Sequence, residues 1–397
     1  MKKLLVVLLS LLCVLTLAGC GNGGGNGGND TPTDGGDETV TVKLGGSGPL
    51  SGDAKVYGEA VRNAAQIAVD EINASASTIK FDFFMEDDMA DPEKAVTAYS
   101  NLYDKGMQVS IFTVTSGAGA AVAASYDEDK IFAITPSGSS TALVYTDEKN
   151  FTGNFQMCFT DPNQGIASAD YMAAKFADKK IGIIYKSDDV YSAGVYEKFV
   201  AQAAANGLNV VYKDGAFTDD SSTDFSTQLT AAKDAGADLV FLPIYYQPAS
   251  TILKQANDMG YAPVFFGVDG MDGILTLDGF DKSLAEGLYL LTPFAADADD
   301  DLTKAFVAEY EKRYGETPNQ FAADAYDCVY AIHQALRDIG VNSEYDFDNL
   351  YAAMVDQFTT MSFNGLTGKD MTWAENGEVS KAPKAVIIEN GVYVSAD

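Results

Sequence analysis

Apolar residues recur along this chain in two alternating patterns. Short apolar runs typical of β-strands are separated by stretches in which every third or fourth residue is apolar, as in helices. Before residue 150 the predicted strands are Val40–Leu44, Ile79–Met85, Val109–Val114 and Ile131–Ile134. In the first helix between them, one face carries Val61, Ala64, Ala65, Ala68 and Ile72. This alternation predicts a parallel sheet with helices on both faces.

The alternation begins again after about Asp161. The strands predicted there are Ile181–Tyr185, Val210–Tyr212, Asp238–Leu242 and Pro263–Phe266. Helices follow Pro293, and the chain ends in short strand-like pieces. Two consecutive α/β units predict two similar lobes, with the chain crossing between them near Asp161, Pro293 and Lys381. We assign residues 41–160 plus 293–380 to the first lobe, and residues 161–292 plus 381–397 to the second.

The first 39 residues do not show this alternation of strands and helices. Lysines precede an apolar run from Leu4 to Leu17, which is typical of a secretory signal peptide. The run ends in Leu17-Ala18-Gly19-Cys20, which resembles the lipobox of bacterial lipoproteins; an ordinary signal peptide with a chance cysteine is the alternative. The resemblance implies that residues 1–19 are removed and Cys20 is lipidated. Residues 20–39, rich in glycine and asparagine, would then tether an exported protein to the outer face of the cytoplasmic membrane, on the periplasmic side if the cell has an outer membrane.

Charge and chemistry narrow the range of functions. The formal net charge is −31, which disfavours nucleic acid as a partner. The single histidine, His333, has no companion ligands, so we expect no metal site and no cofactor. The sequence has no nucleophile elbow, metal motif or histidine-based triad, so we expect no enzyme activity. Cys158 and Cys328 are expected to be buried free thiols, with one disulfide as the alternative.

Small polar or aromatic residues follow the predicted strands, at the edge where open α/β sheets bind ligands. These segments are Thr115–Gly119, Thr135–Ser140, Lys186–Tyr191, Pro243–Tyr246 and Gly267–Gly270. Serines and backbone N–H groups at a helix N-terminus suit a carboxylate. The segments of the second unit offer tyrosine and aspartate, which suit an ammonium group. Facing each other, the two sets would hold a zwitterion; the alternative is that these are only turn and N-cap residues.

The chain resembles the type I periplasmic-binding-protein superfamily, in the branch that includes leucine/isoleucine/valine-binding proteins of ABC importers. The resemblance runs from about Val42 to the C-terminus. The segments that carry it are Gly48–Gly52 with Tyr57-Gly58, Ala68–Asn73, Glu86–Asp88 followed by Asp91-Pro92, Thr135–Ser137 and Ala325–Asp327. It implies two Rossmann-like lobes with parallel-rich sheets flanked by helices, joined by a three-segment hinge.

The resemblance also implies roles for individual residues. Ser116 and Ser139 would bind the α-carboxylate of the ligand through hydroxyl and backbone N–H groups. The backbone carbonyl of Ser137 would accept from the ammonium group, and the Asp269 carboxylate would pair with it. Asp269 stands where the leucine-type members commonly have glutamate, and Ser139 replaces a common threonine.

Four tyrosines complete the implied site. Tyr191 and Tyr245 would close over the ligand from the second lobe, while Tyr57 and Tyr326 would shape the side-chain pocket. The predicted function is capture of an amino acid, branched-chain or similar, by a monomeric lipoprotein that delivers it to an ABC permease. The alternatives are a sensory receptor on the same fold, which neighbouring genes would distinguish, and a binder of an amide or a small carboxylate.

Overall fold

The computed structural model describes residues 38–396, in which the strands form two sheets. The first sheet has five strands in the order β2-β1-β3-β4-β5, and every neighbouring pair is parallel. Its strands are β1 (Val40–Gly48), β2 (Ile79–Asp87), β3 (Val109–Ser110), β4 (Phe132–Thr135) and β5 (Asn154–Gln156).

Helices cover both faces of the first sheet. They are α1 (Lys55–Ala74), α2 (Pro92–Asp104), α3 (Ser116–Glu128), α8 (Asp301–Tyr314), α9 (Gln320–Asp338) and α10 (Leu350–Phe358). The predicted apolar face of α1 is buried and packs against α9, whereas α2 and α3 pack together with a separate apolar cluster. The alanines on the buried face of α1 allow the two helices to approach closely.

The second sheet has seven strands in the order β12-β11-β10-β9-β8-β6-β7. They are β6 (Lys180–Lys186), β7 (Asn209–Phe217), β8 (Leu239–Leu242), β9 (Val264–Gly267), β10 (Tyr289–Thr292), β11 (Lys384–Glu389) and β12 (Val392–Ser395). Strands β6 to β10 are parallel to one another, and β11 and β12 join the edge antiparallel. The helices that follow these strands or precede them are α4 (Asp161–Lys175), α5 (Val190–Ala205), α6 (Ser226–Asp234) and α7 (Tyr246–Asp258).

The chain passes between the two halves three times: from β5 to α4, from β10 to α8, and from α10 to β11. The predicted fold class, two α/β lobes with parallel-rich sheets, is therefore confirmed. The lobe boundaries, 41–160 plus 293–380 and 161–292 plus 381–397, stay a prediction.

The structure corrects the predicted elements in two ways. Strands β5 and β10 and helix α4 were not predicted, because β5 and β10 are only three and four residues long and α4 has few regularly spaced apolar residues. The predicted strand Val109–Val114 is extended in the sheet only at its start. Phe112 has φ = +51°, so the backbone turns out of the ladder there.

The remaining expectations concern the N-terminal segment, membrane-spanning helices and the two cysteines Cys158 and Cys328. Cys20 and the proposed signal peptide lie outside the described residues. Within residues 38–396, no helix combines the length and the apolar character needed to cross a membrane. Cys158 and Cys328 are both buried free thiols, which is the first of the two alternatives.

Candidate ligand-binding site

Segments that follow strands of both sheets meet around one cavity with an empty volume of about 250 Å³. Its lining residues are Tyr57, Val114, Thr115, Ser116, Ser137, Ser139, Tyr191, Tyr245, Asp269, Gly270 and Phe321. Seven of the eight predicted ligand-binding residues are in this set. The two sheets thus contribute their polar strand-following segments to the same place.

Tyr326 is the exception, because it does not line this cavity. Its ring packs against Phe306 and Tyr330, with centroids 4.9 and 4.7 Å away, and its hydroxyl donates to Glu71 Oε2 at 2.7 Å. Phe321 lines the cavity instead, five residues earlier on α9. At 3.6 residues per turn, five residues separate two different faces of a helix.

The first half contributes hydroxyl and backbone donors. Helix α3 begins at Ser116, and its N-cap residue Thr115 makes no side-chain capping hydrogen bond. The Ser116 Oγ accepts from the Ser140 N–H at 3.1 Å, which leaves the Ser116 hydroxyl proton available. The Ser137 hydroxyl is already committed, since it donates to the Val114 carbonyl at 2.6 Å. This end of the cavity therefore combines a hydroxyl with the positive end of a helix dipole, a combination that favours an anion.

The second half contributes a buried carboxylate. Asp269 follows β9 and is only 3% exposed. Its Oδ2 accepts from Gln164 Nε2 at 2.8 Å, and its backbone N–H donates to Gln164 Oε1 at 3.3 Å. Its Oδ1 is buried and has no hydrogen-bond partner. Burial raises the pKa of Asp269 to about 7, although the neighbouring polar groups of Gln164, Tyr191 and Gly270 lower it in part.

Tyr57 links the two halves across the cavity, and two tyrosines of the second half stack beside it. The Tyr57 hydroxyl, from α1, donates to the Gly270 carbonyl and accepts from the Tyr246 N–H at 3.3 Å. Tyr191 and Tyr245 stack with ring centroids 5.1 Å apart, and Tyr191 Oη accepts from the Gly270 N–H at 3.0 Å. Burial raises the pKa values of Tyr57, Tyr191 and Tyr245 well above the usual range, so these hydroxyls stay neutral donors at physiological pH.

Ser139 lies at the junction of the two halves. Its carbonyl accepts from the backbone N–H of Asp161, the first residue of α4, at 2.9 Å. Burial raises the pKa of Asp161 well above its usual range, and a hydrogen bond from the Ser139 side chain opposes that rise. The charge of Asp269 raises it further, so the two carboxyl groups influence one another.

Sequence reasoning missed several contributors. Val114, Thr115, Gly270 and Phe321 line the cavity but were not among the eight predicted ligand-binding residues. The first three lie within two residues of a predicted residue in sequence, whereas Phe321 is on a helix that returns from much later in the chain. Gln164 was missed because helix α4 itself was not predicted.

The described residues hold no obvious metal centre. Between residues 38 and 396, no group of three or more His, Cys, Asp or Glu side chains is arranged to bind a metal ion. His333 pairs its Nε2 with the Ser77 hydroxyl at 2.8 Å, and burial lowers its pKa to about 4.

Comparison with known proteins gives a consistent result. The profile of a family described as "Periplasmic binding protein" matches residues 41–389. The chain is 28% identical over 232 residues to the Leu/Ile/Val-binding protein BraC3 of Rhizobium johnstonii, covering 58% of this chain and 62% of that protein. It is 22% identical over 302 residues to the leucine-, isoleucine-, valine-, threonine-, and alanine-binding protein of Pseudomonas aeruginosa, covering 76% of this chain and 79% of that protein. The match to BraC3 thus spans less than two thirds of its length.

A solved structure agrees over nearly the whole described chain. It is the branched-chain amino acid transporter substrate binding protein LivJ from Streptococcus pneumoniae in complex with isoleucine. The TM-score is 0.79 at 26% sequence identity, and the match covers 90% of this chain and 98% of that chain.

Proposed function

The chain belongs to the periplasmic binding protein family, and from that premise we propose that it captures an amino acid between its two lobes for an ABC importer. Proteins of this family bind solutes and are not enzymes, which confirms the expectation that this chain is not one. The amino-acid ligands in the names of the relatives support the ligand class. We also propose that the protein delivers the bound amino acid to a membrane permease.

The observation that carries the proposal is the unpartnered Asp269 Oδ1. A buried carboxylate oxygen without a donor is unfavourable by about 1–3 kcal/mol or more. An ammonium group placed in the cavity would remove that penalty and would keep the carboxylate ionised, since a nearby cation lowers the pKa of an acid. Among residues 38–396, none of the salt bridges involves Asp269, so the cation must come from outside this part of the chain.

The opposite end of an amino acid has a matching environment. The hydroxyl of Ser116 and the first-turn N–H groups of α3 form a donor set for the α-carboxylate. Ser139 is the second residue proposed for this end, and the Ser137 carbonyl is proposed as a further acceptor for the ammonium group. An anion site and a cation site in one small cavity suit a zwitterion better than an uncharged solute.

Closure of the two lobes over the ligand would make these contacts strong. Tyr57, on the first lobe, bonds to Gly270 and Tyr246 on the second, and these are contacts that an open form would lack. Excluding water lowers the local dielectric constant, so each charged contact gains strength. We propose that the lobes comprise residues 41–160 plus 293–380 and residues 161–292 plus 381–397.

Calorimetry with three related compounds tests the ligand class. After a thermal-shift screen of the common amino acids, we would compare valine with 3-methylbutanoate, which lacks the ammonium group, and with 2-methylpropylamine, which lacks the carboxylate. If valine is not the best ligand, the same trio is built on the amino acid that is. We expect only the zwitterion to bind tightly. Equal binding of the acid or the amine, or binding of uncharged solutes alone, would overturn the proposal.

We further propose that the protein is exported and anchored through lipid on Cys20. The support is the sequence Leu17–Cys20 at the end of an apolar run. The Cys20→Ala protein should leave the membrane fraction and take up no labelled fatty acid, whereas Cys13→Ala, in the part that is removed, should still be lipidated. A wild-type protein that incorporates no fatty acid in its host would refute the anchor.

A further inference from the structure

The side chain of Thr115 has an unusual position at the edge of the cavity. Thr115 lines the cavity, is only 4% exposed, and its Oγ1 is buried without a hydrogen-bond partner. It is also the N-cap residue of α3, where a threonine hydroxyl usually accepts from an N–H of the first turn. That capping hydrogen bond is absent here. The Thr115 hydroxyl therefore does not make the capping hydrogen bond that is usual for a threonine at the N-cap position.

Three other hydroxyls around the cavity already have a hydrogen-bond partner within the chain. Ser137 donates to the Val114 carbonyl, and Ser116 accepts from the Ser140 N–H. Tyr57 both donates, to Gly270, and accepts, from Tyr246. A buried hydroxyl without a partner is uncommon, because burial removes the water that would otherwise bind it. The absence of a partner for Thr115 within the chain points to a partner that arrives with the ligand.

The missing capping hydrogen bond distinguishes the Thr115 hydroxyl from the groups at the proposed carboxylate end of the site. The groups proposed to hold the carboxylate are the first-turn N–H groups of α3 and the Ser116 hydroxyl. A Thr115 side chain directed at that helix end would make the capping hydrogen bond, and it does not. Its hydroxyl is thus available to another part of the ligand, and the remaining part of an amino acid is its side chain.

We propose that Thr115 selects an amino acid whose side chain carries a hydroxyl, such as threonine or serine. The inference rests on the proposed function, since it assumes that an amino acid occupies the cavity. A ligand hydroxyl can donate to and accept from Thr115, whereas an aliphatic side chain leaves it unpaired.

The test uses two ligands of the same shape. Threonine and valine differ by a hydroxyl in place of a methyl group, so the ratio of their dissociation constants reports the hydroxyl alone. Calorimetry on the wild-type protein should show threonine binding about tenfold to a hundredfold more tightly than valine. In Thr115→Val the ratio should fall to about one, mainly because threonine binds less tightly, and Thr115→Ser should retain most of the preference.

Thr113→Val is the matched control. The Thr113 Oγ1 is also buried without a partner, but Thr113 does not line the cavity. This variant should keep the threonine preference, and circular dichroism should show all three variants folded. The wild-type ratio alone still tests the inference if Thr115→Val does not fold.

Two results would overturn the inference and leave the proposed function standing. One is a wild-type protein that binds valine as tightly as threonine. The other is a Thr115→Val protein in which both amino acids weaken equally, because this would assign the hydroxyl to the carboxylate. A wild-type protein that binds no amino acid would instead overturn the proposed function, and this inference with it.

Discussion

Two buried aspartates, Asp324 in α9 and Asp269 after β9, have opposite electrostatic surroundings. The Asp324 Oδ1 lies 2.6 Å from the Lys381 Nζ, and both side chains are 1% exposed. The same ammonium group donates to Thr367 Oγ1 at 2.6 Å. Burial raises the pKa of Asp324 to about 6, while Lys381 lowers it in part. The chain thus provides its own cation for this carboxylate, at the third crossing between the lobes.

Asp269 is as deeply buried but receives only neutral donors. Gln164 binds its Oδ2, and its Oδ1 has no partner. Burial therefore raises its pKa further, to about 7. A buried carboxylate with a fixed lysine serves the structure, whereas one without a cation is available to a ligand. The presence or absence of a fixed cation thus distinguishes Asp324, which serves the fold, from Asp269, which is proposed to bind the ligand.

Removing the hinge lysine should have the largest effect on stability. Lys381→Met leaves Asp324 buried without its cation, so the free energy of unfolding should fall by about 3–5 kcal/mol. Urea denaturation measures the loss. A double variant, Lys381→Met with Asp324→Leu, should regain most of it, because it has no unpaired charge. A single variant as stable as the wild type would remove the structural half of the comparison.

Neutralising Asp269 should instead affect binding. Asp269→Asn should weaken binding of an amino acid by about 2–5 kcal/mol, roughly thirtyfold to several thousandfold, because the ammonium group loses its charged partner. The ligand-free protein should be as stable as the wild type or more so. Calorimetry and urea denaturation give the two values. Asp324→Asn is the matched variant and should lose stability; if both variants lose stability alike, the comparison fails.

The pH dependence of binding should reflect the raised pKa of Asp269. Below about pH 7 the protonated carboxyl must lose its proton to pair with an ammonium group, so affinity should rise up to about tenfold per pH unit and level off above. Calorimetry between about pH 5 and pH 9, a range that brackets the pKa of about 7, measures how the dissociation constant depends on pH. If the affinity of Asp269→Asn depends on pH in the same way as that of the wild type, a group other than Asp269 causes the pH dependence.

The stability of the ligand-free protein should depend on pH with the opposite sign. The folded-state pKa of Asp269, about 7, lies above its ordinary value of 3.8, so the folded chain binds more protons between these two values. Its contribution to the free energy of unfolding therefore falls as pH rises through that window. Urea denaturation across the window should show a smaller decline for Asp269→Asn than for the wild type, and an equal decline would contradict the prediction.

Removing the support of Asp269 should give the smallest effect. Gln164→Leu deletes the donor to Oδ2, so the pKa of Asp269 should rise and the binding profile should level off at a higher pH. Affinity at pH 7 should fall about tenfold, the value of one hydrogen bond to a charged group. Gln255→Leu removes hydrogen bonds to Phe225 and Thr223 and should leave the profile in place. A uniform loss at every pH would show that Gln164 acts only on general stability.

The polar segments of the cavity could be found in the sequence because each directly follows an apolar run. Ser116, Ser139 and Asp269 follow predicted strands, and the carboxyl ends of parallel strands share an edge of the sheet. Tyr326 does not line the cavity although the sequence placed it there, because its helix comes from a distant part of the chain and the sequence does not show which face of α9 meets the cavity. Gln164 could not be predicted as a neighbour of Asp269 either, because the two residues are far apart in sequence and come into contact only in the folded chain.

The sequence by itself determined the α/β alternation, its restart after Asp161, and the polar residues after the strands, because apolar periodicity and turn chemistry are local. Only the tertiary structure decided which buried acid is neutralised by the chain. Asp324 receives a lysine 57 residues away, whereas Asp269 receives the neutral amide of Gln164, 105 residues away. Electrostatic pairing depends on distance in space and on the exclusion of water, and neither is a property of neighbouring residues along the chain.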